Sequence, residues 1–306
     1  MRTELLTLHP GDDLLHAVDR LLRANISGAP VLDDDGNYLG VLSEKGALAA
    51  LTSLIQLAGV FGLHEIHVDE FMTRQLACVR PEDDVFEAIE VLLSRQISGA
   101  PVVDVAGRYV GVFSEKTAMR ALIGALYEWL PGASVAQYVN ADPKRIIARQ
   151  DRLIDVAHRF QTSSYRRLPI IEAGRIVGQV SRRDVLRAEQ RLAVEVIAKQ
   201  SDGRGGDRLD AAIDRMTVGQ WMDADAATAT PDTDLLSIAN RFLQTPYRRM
   251  PVVRQHPDGK RQALLGQVSR RDLLAKASEI LRPERERYHS ETLYLSARGE
   301  EAVRPT

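Results

Sequence analysis

The sequence predicts an α/β fold made of four copies of one helix–strand–turn–strand–helix unit. Three observations predict it. A proline enters an apolar strand four times, at Ala29-Pro30-Val31, Ala100-Pro101-Val102, Leu168-Pro169-Ile170 and Met250-Pro251-Val252. A second strand ends four times in Gly-x-x-Ser: Gly40 to Ser43, Gly111 to Ser114, Gly178 to Ser181 and Gly266 to Ser269. The spacings also agree. An alanine (Ala17, Ala88, Ala157, Ala239) precedes the proline by 13, 13, 12 and 12 residues, and proline to serine is 13, 13, 12 and 18. Self-similarity of this kind marks one supersecondary unit used repeatedly.

Each element has a local reason. The alanine sits in a helical pattern of period near 3.6, opened by an acidic or proline-led start. The proline is expected at the first strand position, where its missing N–H costs little. Asp35-Gly36, Ala106-Gly107, Ala173-Gly174 and Asp258-Gly259 supply the turns. The last copy has a longer hairpin loop, Arg254 to Gln262. A unit of about 60 residues has too little core to stand alone, so the units are expected to pair.

Composition narrows the function classes. The 306 residues include 40 Lys+Arg, 42 Asp+Glu and 44% hydrophobic residues, which excludes a disordered or collagen-like chain. One cysteine, Cys78, excludes an internal disulfide framework and a cysteine-based zinc cluster. The N-terminus lacks an apolar signal core, and the longest apolar stretch, Ala47 to Leu63, is too short and interrupted for a membrane span. It is expected as a buried or interface helix in a soluble, cytoplasmic protein. Charge is uneven: residues 1–131 carry 10 Lys+Arg and 19 Asp+Glu, net −9, and residues 132–306 carry 30 and 23, net +7. A basic half beside an acidic one points to anion binding in the second half.

The lead-in segments repeat too: Val68-Asp69-Glu70-Phe71-Met72-Thr73, Val135-Ala136-Gln137-Tyr138-Val139 and Val218-Gly219-Gln220-Trp221-Met222. With these, the Ala-Pro-Val strand and the Gly-x-x-Ser helix start, the chain resembles the CBS-domain family over about residues 1–282. The resemblance implies α+β CBS repeats paired into two Bateman modules, each a pseudo-two-fold pair. Repeats 1 and 2 would form the first (1–131) and repeats 3 and 4 the second (132–282), followed by a polar tail (283–306). No catalytic domain is left over, so an enzyme is not expected. Breaks at Leu130-Pro131-Gly132 and at residues 201–207 read as linkers.

Repeats 3 and 4 differ from 1 and 2 at two linked places. Before the proline stand Tyr165-Arg166-Arg167 and Tyr247-Arg248-Arg249, where repeats 1 and 2 have Ser27-Gly28 and Ser98-Gly99. After the second strand stand Ser181-Arg182-Arg183-Asp184 and Ser269-Arg270-Arg271-Asp272, where repeats 1 and 2 have Gly46 and Thr117 in place of the aspartate. Serine at a helix start can donate to a ligand oxygen, an ionised aspartate accepts from a ribose hydroxyl pair, and arginine forks suit phosphate. In the resembling family the aspartate holds the ribose of adenosine ligands. By that resemblance Asp184 and Asp272 would take ribose, and Arg166, Arg167, Arg248 and Arg249 phosphates, with Ser181 and Ser269 as the serines that donate to a ligand oxygen. Arg166 and Arg248 stand where the kinase-subunit members of the family carry histidine. Ser-x-x-Asp is also close to a capping box, which needs no ligand. Its appearance together with the arginines, in both basic repeats alone, favours a site.

Other signals carry less. His64-Glu65-Ile66-His67 with Asp69 lacks the His-Glu-x-x-His spacing and reads as a loop. Gly203-Arg204-Gly205-Gly206 lacks the Lys-Ser/Thr of a phosphate-binding loop, and no Gly-x-Ser-x-Gly elbow appears. Aromatics are 5%, and no basic stretch is interleaved with them, which disfavours single-stranded nucleic acid. The expectation is a stand-alone regulatory protein sensing AMP, ADP or ATP, with S-adenosylmethionine as another ligand. It would act as a dimer or an intrachain disc on an unknown partner. The competing readings are a ligand-independent scaffold and a nucleic-acid-associated regulator using the basic half.

Overall fold

The computed structural model describes residues 1–59, 66–128, 134–199, 213 and 216–280. The expected linkers at 130–132 and 201–207 and the tail at 283–306 lie outside them. Mixed helices and short antiparallel strand pairs make the fold, as expected. Repeat 1 is α1 (Leu14–Arg23), β1 (Gly28–Leu32), β2 (Tyr38–Ser43) and α2 (Glu44–Leu57). A lead-in helix α3 (Val68–Phe71) opens repeat 2: α4 (Val85–Ser94), β3 (Gly99–Val103), β4 (Tyr109–Ser114) and α5 (Glu115–Glu128). A 3-10 turn at Val135–Tyr138 opens repeat 3: α6 (Leu153–Thr162), β5 (Arg167–Glu172), β6 (Arg175–Ser181) and α7 (Arg182–Lys199). Lead-in α8 (Val218–Trp221) opens repeat 4: α9 (Leu235–Gln244), β7 (Arg249–Gln255), β8 (Gln262–Ser269) and a helix over 270–280, α10.

The four hairpins share one register. Pro30, Pro101, Pro169 and Pro251 face Val41, Val112, Gln179 and Gln267, and each hairpin has a bulge two residues or fewer beyond the proline. The proline is therefore the third residue of each strand, not the first. Its missing donor is harmless because the outer edge of each hairpin carries only a one-residue parallel bridge, which uses the proline's carbonyl: it accepts from Leu8, Val79, Ile147 or Ala229 at 2.9–3.0 Å. The turns need a positive φ, met by Gly36, Gly107, Gly174 and Gly259 at 68–79°. In repeat 4 the extra residues lengthen both strands and not only the loop, since the ladder reaches Gln255↔Gln262.

The repeats do not pair in sequence order. Each lead-in ends in a two-way backbone bridge to the second strand of another repeat: Arg2 with Gln267, Asp223 with Val41, Thr73 with Gln179, and Asn140 with Val112. Repeats 1 and 4 thus exchange lead-ins, and so do 2 and 3. The helices make the other contacts. One core joins α1 and α2 of repeat 1 to α6 and α7 of repeat 3, and a second joins repeats 2 and 4. The described contacts close a ring in the order 1–3–2–4, which corrects the expected pairing of 1 with 2 and 3 with 4. Charge supplies a physical reason. Every contact in that ring joins an acidic repeat to a basic one, whereas sequential pairing would set glutamates against glutamates and arginines against arginines.

The repeated Gly of Gly-x-x-Ser follows from the exchange. A Cβ on Gly40 would lie 2.5 Å from the Asp223 carbonyl, on Gly111 2.7 Å from that of Asn140, and on Gly266 2.6 Å from that of Arg2. On Gly178 it would lie 2.8 Å from Met72 Sδ. Only a residue without a side chain admits the crossing backbone there.

Candidate functional site

Strand register assembles each site from two stretches of sequence. Arg167 lies opposite Ser181, and Arg249 opposite Ser269, so the arginine before the proline and the serine at the helix start share one face of the hairpin. The helix that follows each serine is capped reciprocally. Ser181 N donates to Asp184 Oδ2 at 2.8 Å while Asp184 N donates to Ser181 Oγ at 3.3 Å; the Ser269–Asp272 distances are 2.9 and 3.1 Å. Both aspartates are thus capping residues. Each cap uses one carboxylate oxygen. The other oxygen of Asp272 lies 3.7 Å from Arg2, and that of Asp184 lies 3.9 Å from Arg187. In repeat 2, Thr117 reproduces the box with its hydroxyl: Ser114 N donates to Thr117 Oγ1 at 2.8 Å.

The ring turns the basic repeats inward. Arg166, Arg167, Arg183, Arg248, Arg249 and Arg271 all line a chain of polar clefts at its centre. The largest that holds a complete motif measures about 360 Å³ and is lined by Ser269, Asp272, Arg248, Arg249, Arg271, Gln267 and Arg2, with Asn25, Ile26 and Gln96 opposite. That volume lies in the range of small-molecule sites. Arg166, Arg167 and Ser181 line an adjoining cleft of about 100 Å³, and Arg166, Arg167 and Arg248 also line a third of about 370 Å³ with Ser114, Thr117 and Tyr165. Asp184 lines none of these three clefts. The structure therefore brings the motif of repeat 4 together in one of these clefts, whereas Asp184 lines none of the three although its charge acts on Arg167.

Sequence reasoning missed two acids. Glu115, 3% exposed, receives Arg248 through both oxygens at 2.7 and 2.9 Å, with Arg271 at 3.6 Å. Burial alone would raise its pKa; the Arg248 guanidinium overrides this and holds the carboxyl below its ordinary value. Glu44 takes the same place in repeat 1, with Arg183 at 2.8 Å and Arg166 at 3.9 Å. Both acids follow the Gly-x-x-Ser serine directly, where repeats 3 and 4 have Arg182 and Arg270. The signal was in the sequence: the acidic and basic versions of one motif are complementary.

Pairing divides the arginines by task. Arg182 donates to the Phe160 and Tyr165 carbonyls, and Arg270 to those of Phe242 and Thr245, each lying over its phenylalanine ring. Arg248 is held by Glu115. Among the described residues the Arg167 side chain has only Ser98 Oγ at 3.4 Å, and the Arg249 side chain has no hydrogen bond or ion pair. Burial, and next the Arg248 charge, push the Arg249 pKa down to about 10. A cation so placed gains most from an anion. Gln267 is a second unmet group: 5% exposed, it lines the cleft with an amide nitrogen that has no partner.

The weaker sequence signals come to little. His64 and Glu65 lie outside the described residues. His67 binds the Gln150 carbonyl at 2.8 Å, and no group of three metal-ligating side chains occurs among the described residues. No helix among them is long and apolar enough to cross a membrane.

Comparison with known proteins agrees with the fold. The CBS domain profile matches residues 1–53, 68–124, 135–191 and 218–279. The chain is 30% identical over 121 residues to an uncharacterized protein of Methanocaldococcus jannaschii, covering 39% of this chain and 41% of that one. It is 26% identical over 203 residues to the human 5'-AMP-activated protein kinase subunit gamma-3, covering 60% of this chain and 40% of that one. The chain thus spans about two fifths of the length of these relatives. Among solved structures, CBSX2 in complex with AMP is 29% identical, with a TM-score of 0.37 over 41% of this chain and 97% of that one. CbpB in complex with c-di-AMP is 19% identical, with a TM-score of 0.39 over 48% and 98%. None of these relatives is described with S-adenosylmethionine. Four matches that together cover most of the sequence show that the chain belongs to the CBS domain family.

Proposed function

We propose that this protein is a non-catalytic regulator that binds an adenine nucleotide in the cleft of repeat 4 and relays its occupancy to a partner protein. One observation carries the reading: Ser269, Asp272, Gln267 and the unpaired Arg249 converge on a single cleft of about 360 Å³. Asp272 offers Oδ1, the oxygen not used in the cap, to a ribose hydroxyl, and Arg249 with Arg271 faces the phosphates. Relatives whose descriptions name AMP or c-di-AMP support the ligand class. Occupancy has a route to the rest of the ring, because Arg248 and Arg271 in the cleft wall are paired with Glu115 of repeat 2. An anion competing for those guanidiniums would loosen the contact between repeats 2 and 4.

Thermal unfolding of the full chain with adenosine, AMP, ADP and ATP tests this. A ligand at 100 times its dissociation constant stabilises by about 2.7 kcal/mol. A rise in midpoint with the nucleotides, lost in Asp272→Asn, supports the reading. No shift with any of them defeats it. The arginine–glutamate pairs favour a second reading, a scaffold in which these charges only join repeats; for that reading no ligand shifts the midpoint.

A further inference from the structure

The third cleft at the centre of the ring lies apart from the Ser269–Asp272 motif. It measures about 370 Å³ and draws its walls from three repeats: the start of α5, the 3-10 turn at Pro143–Arg145 with the entrance of β5, and Arg248 with Arg270 of repeat 4. Seven lysine or arginine side chains and two carboxylates line it. Both carboxylates are already engaged. Glu115 is gripped by Arg248, and Asp142 accepts from the Tyr165 hydroxyl and from Lys144 N. Arg270 donates to two carbonyls.

Four further cations of this cleft have no carboxylate at ion-pair distance among the described residues. Lys116 and Arg120 stand four residues apart on α5 and so share one of its faces, and neither side chain has a hydrogen bond to a described residue. The Arg145 guanidinium lies 4.7 Å from the centre of the Tyr165 ring, and its buried Nε has no partner among the described residues. Arg167 has Ser98 Oγ alone. Burial pushes the pKa values of Lys116, Arg145 and Arg167 down. A cation held in this way gains more from an anion than an exposed one does.

The cleft offers donors and little else. In repeat 4 the aspartate keeps one oxygen outside its cap; here Thr117 stands in that place. The Thr117 hydroxyl accepts from Ser114 N at 2.8 Å and donates to Ser114 O at 2.9 Å, so no charged acceptor faces a ribose diol. We infer that this cleft binds a linear inorganic polyphosphate of two or three phosphates, without a nucleoside. At roughly 30 Å³ per water the space holds about a dozen waters, far more than one orthophosphate fills. Cations reach it from separate elements of three repeats, which suits an anion whose charge is spread along its length.

Calorimetric titration of the full chain with sodium tripolyphosphate at fixed ionic strength tests this. Lys116→Gln with Arg120→Gln removes two cations that hold no described residue in place, so the fold should stand. Tripolyphosphate affinity should fall on the order of 10- to 100-fold. Arg254→Gln with Lys260→Gln makes the same charge change on the exposed β7–β8 hairpin, outside the polar clefts, and should cost less than about twofold. Arg249→Ala, in the cleft of repeat 4, should also cost less than about twofold. No binding by the unaltered chain overturns the inference. So does a loss in the α5 pair no greater than in the hairpin pair, or an equal loss in Arg249→Ala, which would move the anion to the cleft of repeat 4. ATP carries the same chain of phosphates. An equal loss of ATP and tripolyphosphate affinity in the α5 pair would give the cleft to a nucleotide's tail and overturn the inference. Adenosine carries no phosphate and reports on Asp272 alone, so this inference and the proposed function can fail separately.

Discussion

Arg248 of repeat 4 grips Glu115 of repeat 2 through both carboxylate oxygens, at 2.7 and 2.9 Å, in a place where Glu115 is 3% exposed. Removing one partner of a buried pair leaves a charge with neither water nor counter-ion. Arg248→Ala should therefore destabilise the chain by about 3–5 kcal/mol. Arg248→Met with Glu115→Gln removes both charges and should recover most of that loss. Guanidinium unfolding midpoints of the two variants check this. Equal losses in both would mean that packing, and not the charge pair, holds repeats 2 and 4 together.

Across the other helix interface, both oxygens of the fully buried Glu189 lie 2.8 and 2.9 Å from Thr52 Oγ1. The Thr52 hydroxyl is also 2.8 Å from the Leu48 carbonyl, and Gln161 Nε2 donates to it at 2.7 Å. With Glu189 protonated every donor has an acceptor: its O–H donates to Thr52, and Thr52 donates to Leu48. Burial pushes its pKa up to about 8. The folded form holds this proton from the ordinary glutamate value up to about pH 8, and the unfolded form does not. Stability from this group is thus fully present below about pH 4.5 and is lost as pH rises toward 8. Glu189→Gln keeps the donor and should flatten that slope, adding on the order of 1–3 kcal/mol at pH 8. Unfolding midpoints at pH 5.5 and 8 for both proteins measure it; parallel slopes would show that Glu189 does not titrate there.

The crossing lead-ins make a sharper steric prediction. Gly111→Ala places a methyl 2.7 Å from the Asn140 carbonyl oxygen and against Val139 Cγ1, so the bridge between repeats 2 and 3 must open. The expected cost is about 2–3 kcal/mol. Gly124→Ala, in the helix that follows, meets nothing closer than the Tyr138 hydroxyl at 3.8 Å and should stabilise by about 0.5–1 kcal/mol. Thermal unfolding of the pair checks the contrast. A mild effect at Gly111 would show the two-way bridge to be dispensable.

Much of this fold was legible because its signals are local. The proline-led strand, the glycine turn and the serine helix start each fall within a few residues, and all four copies sit where the spacings put them. The order of the ring was not legible. Whether Thr73 bridges to its own neighbour in sequence or to Gln179 depends on contacts about a hundred residues apart, and only the complementary charges of the motif's acidic and basic versions point to them. The site was legible in part. Ser269, Asp272 and Arg249 converge as their motif suggested, yet the same motif in repeat 3 leaves Asp184 outside the clefts described above. Glu44 and Glu115 were overlooked because each repeat was read for what it could bind and not for what the other repeats needed.

The two tasks of Asp272 separate by substitution. Its Oδ2 caps α10 by accepting from Ser269 N at 2.9 Å, and its Oδ1 faces the cleft. Asn can still accept the capping bond, so Asp272→Asn should leave stability within about 0.5 kcal/mol. It removes a charged acceptor, which should cost about 1.5–3 kcal/mol of binding to adenosine, AMP and ATP alike, since all three carry ribose. Arg249→Ala should act differently. Arg249 has no hydrogen-bonded partner to orphan, so stability should hold, while ATP loses more affinity than AMP and adenosine loses little. Part of that loss should fade as salt is raised, because screening weakens the attraction that the variant has removed. Asp184→Asn supplies the control: its carboxylate caps α7 outside the clefts, and ligand affinity should not change. Calorimetric titration of the three ligands against the three variants at two salt concentrations decides it. Equal losses for all ligands in Arg249→Ala would make that arginine a wall of the cleft and not a phosphate contact, and unchanged affinity in Asp272→Asn would reduce Asp272 to its cap.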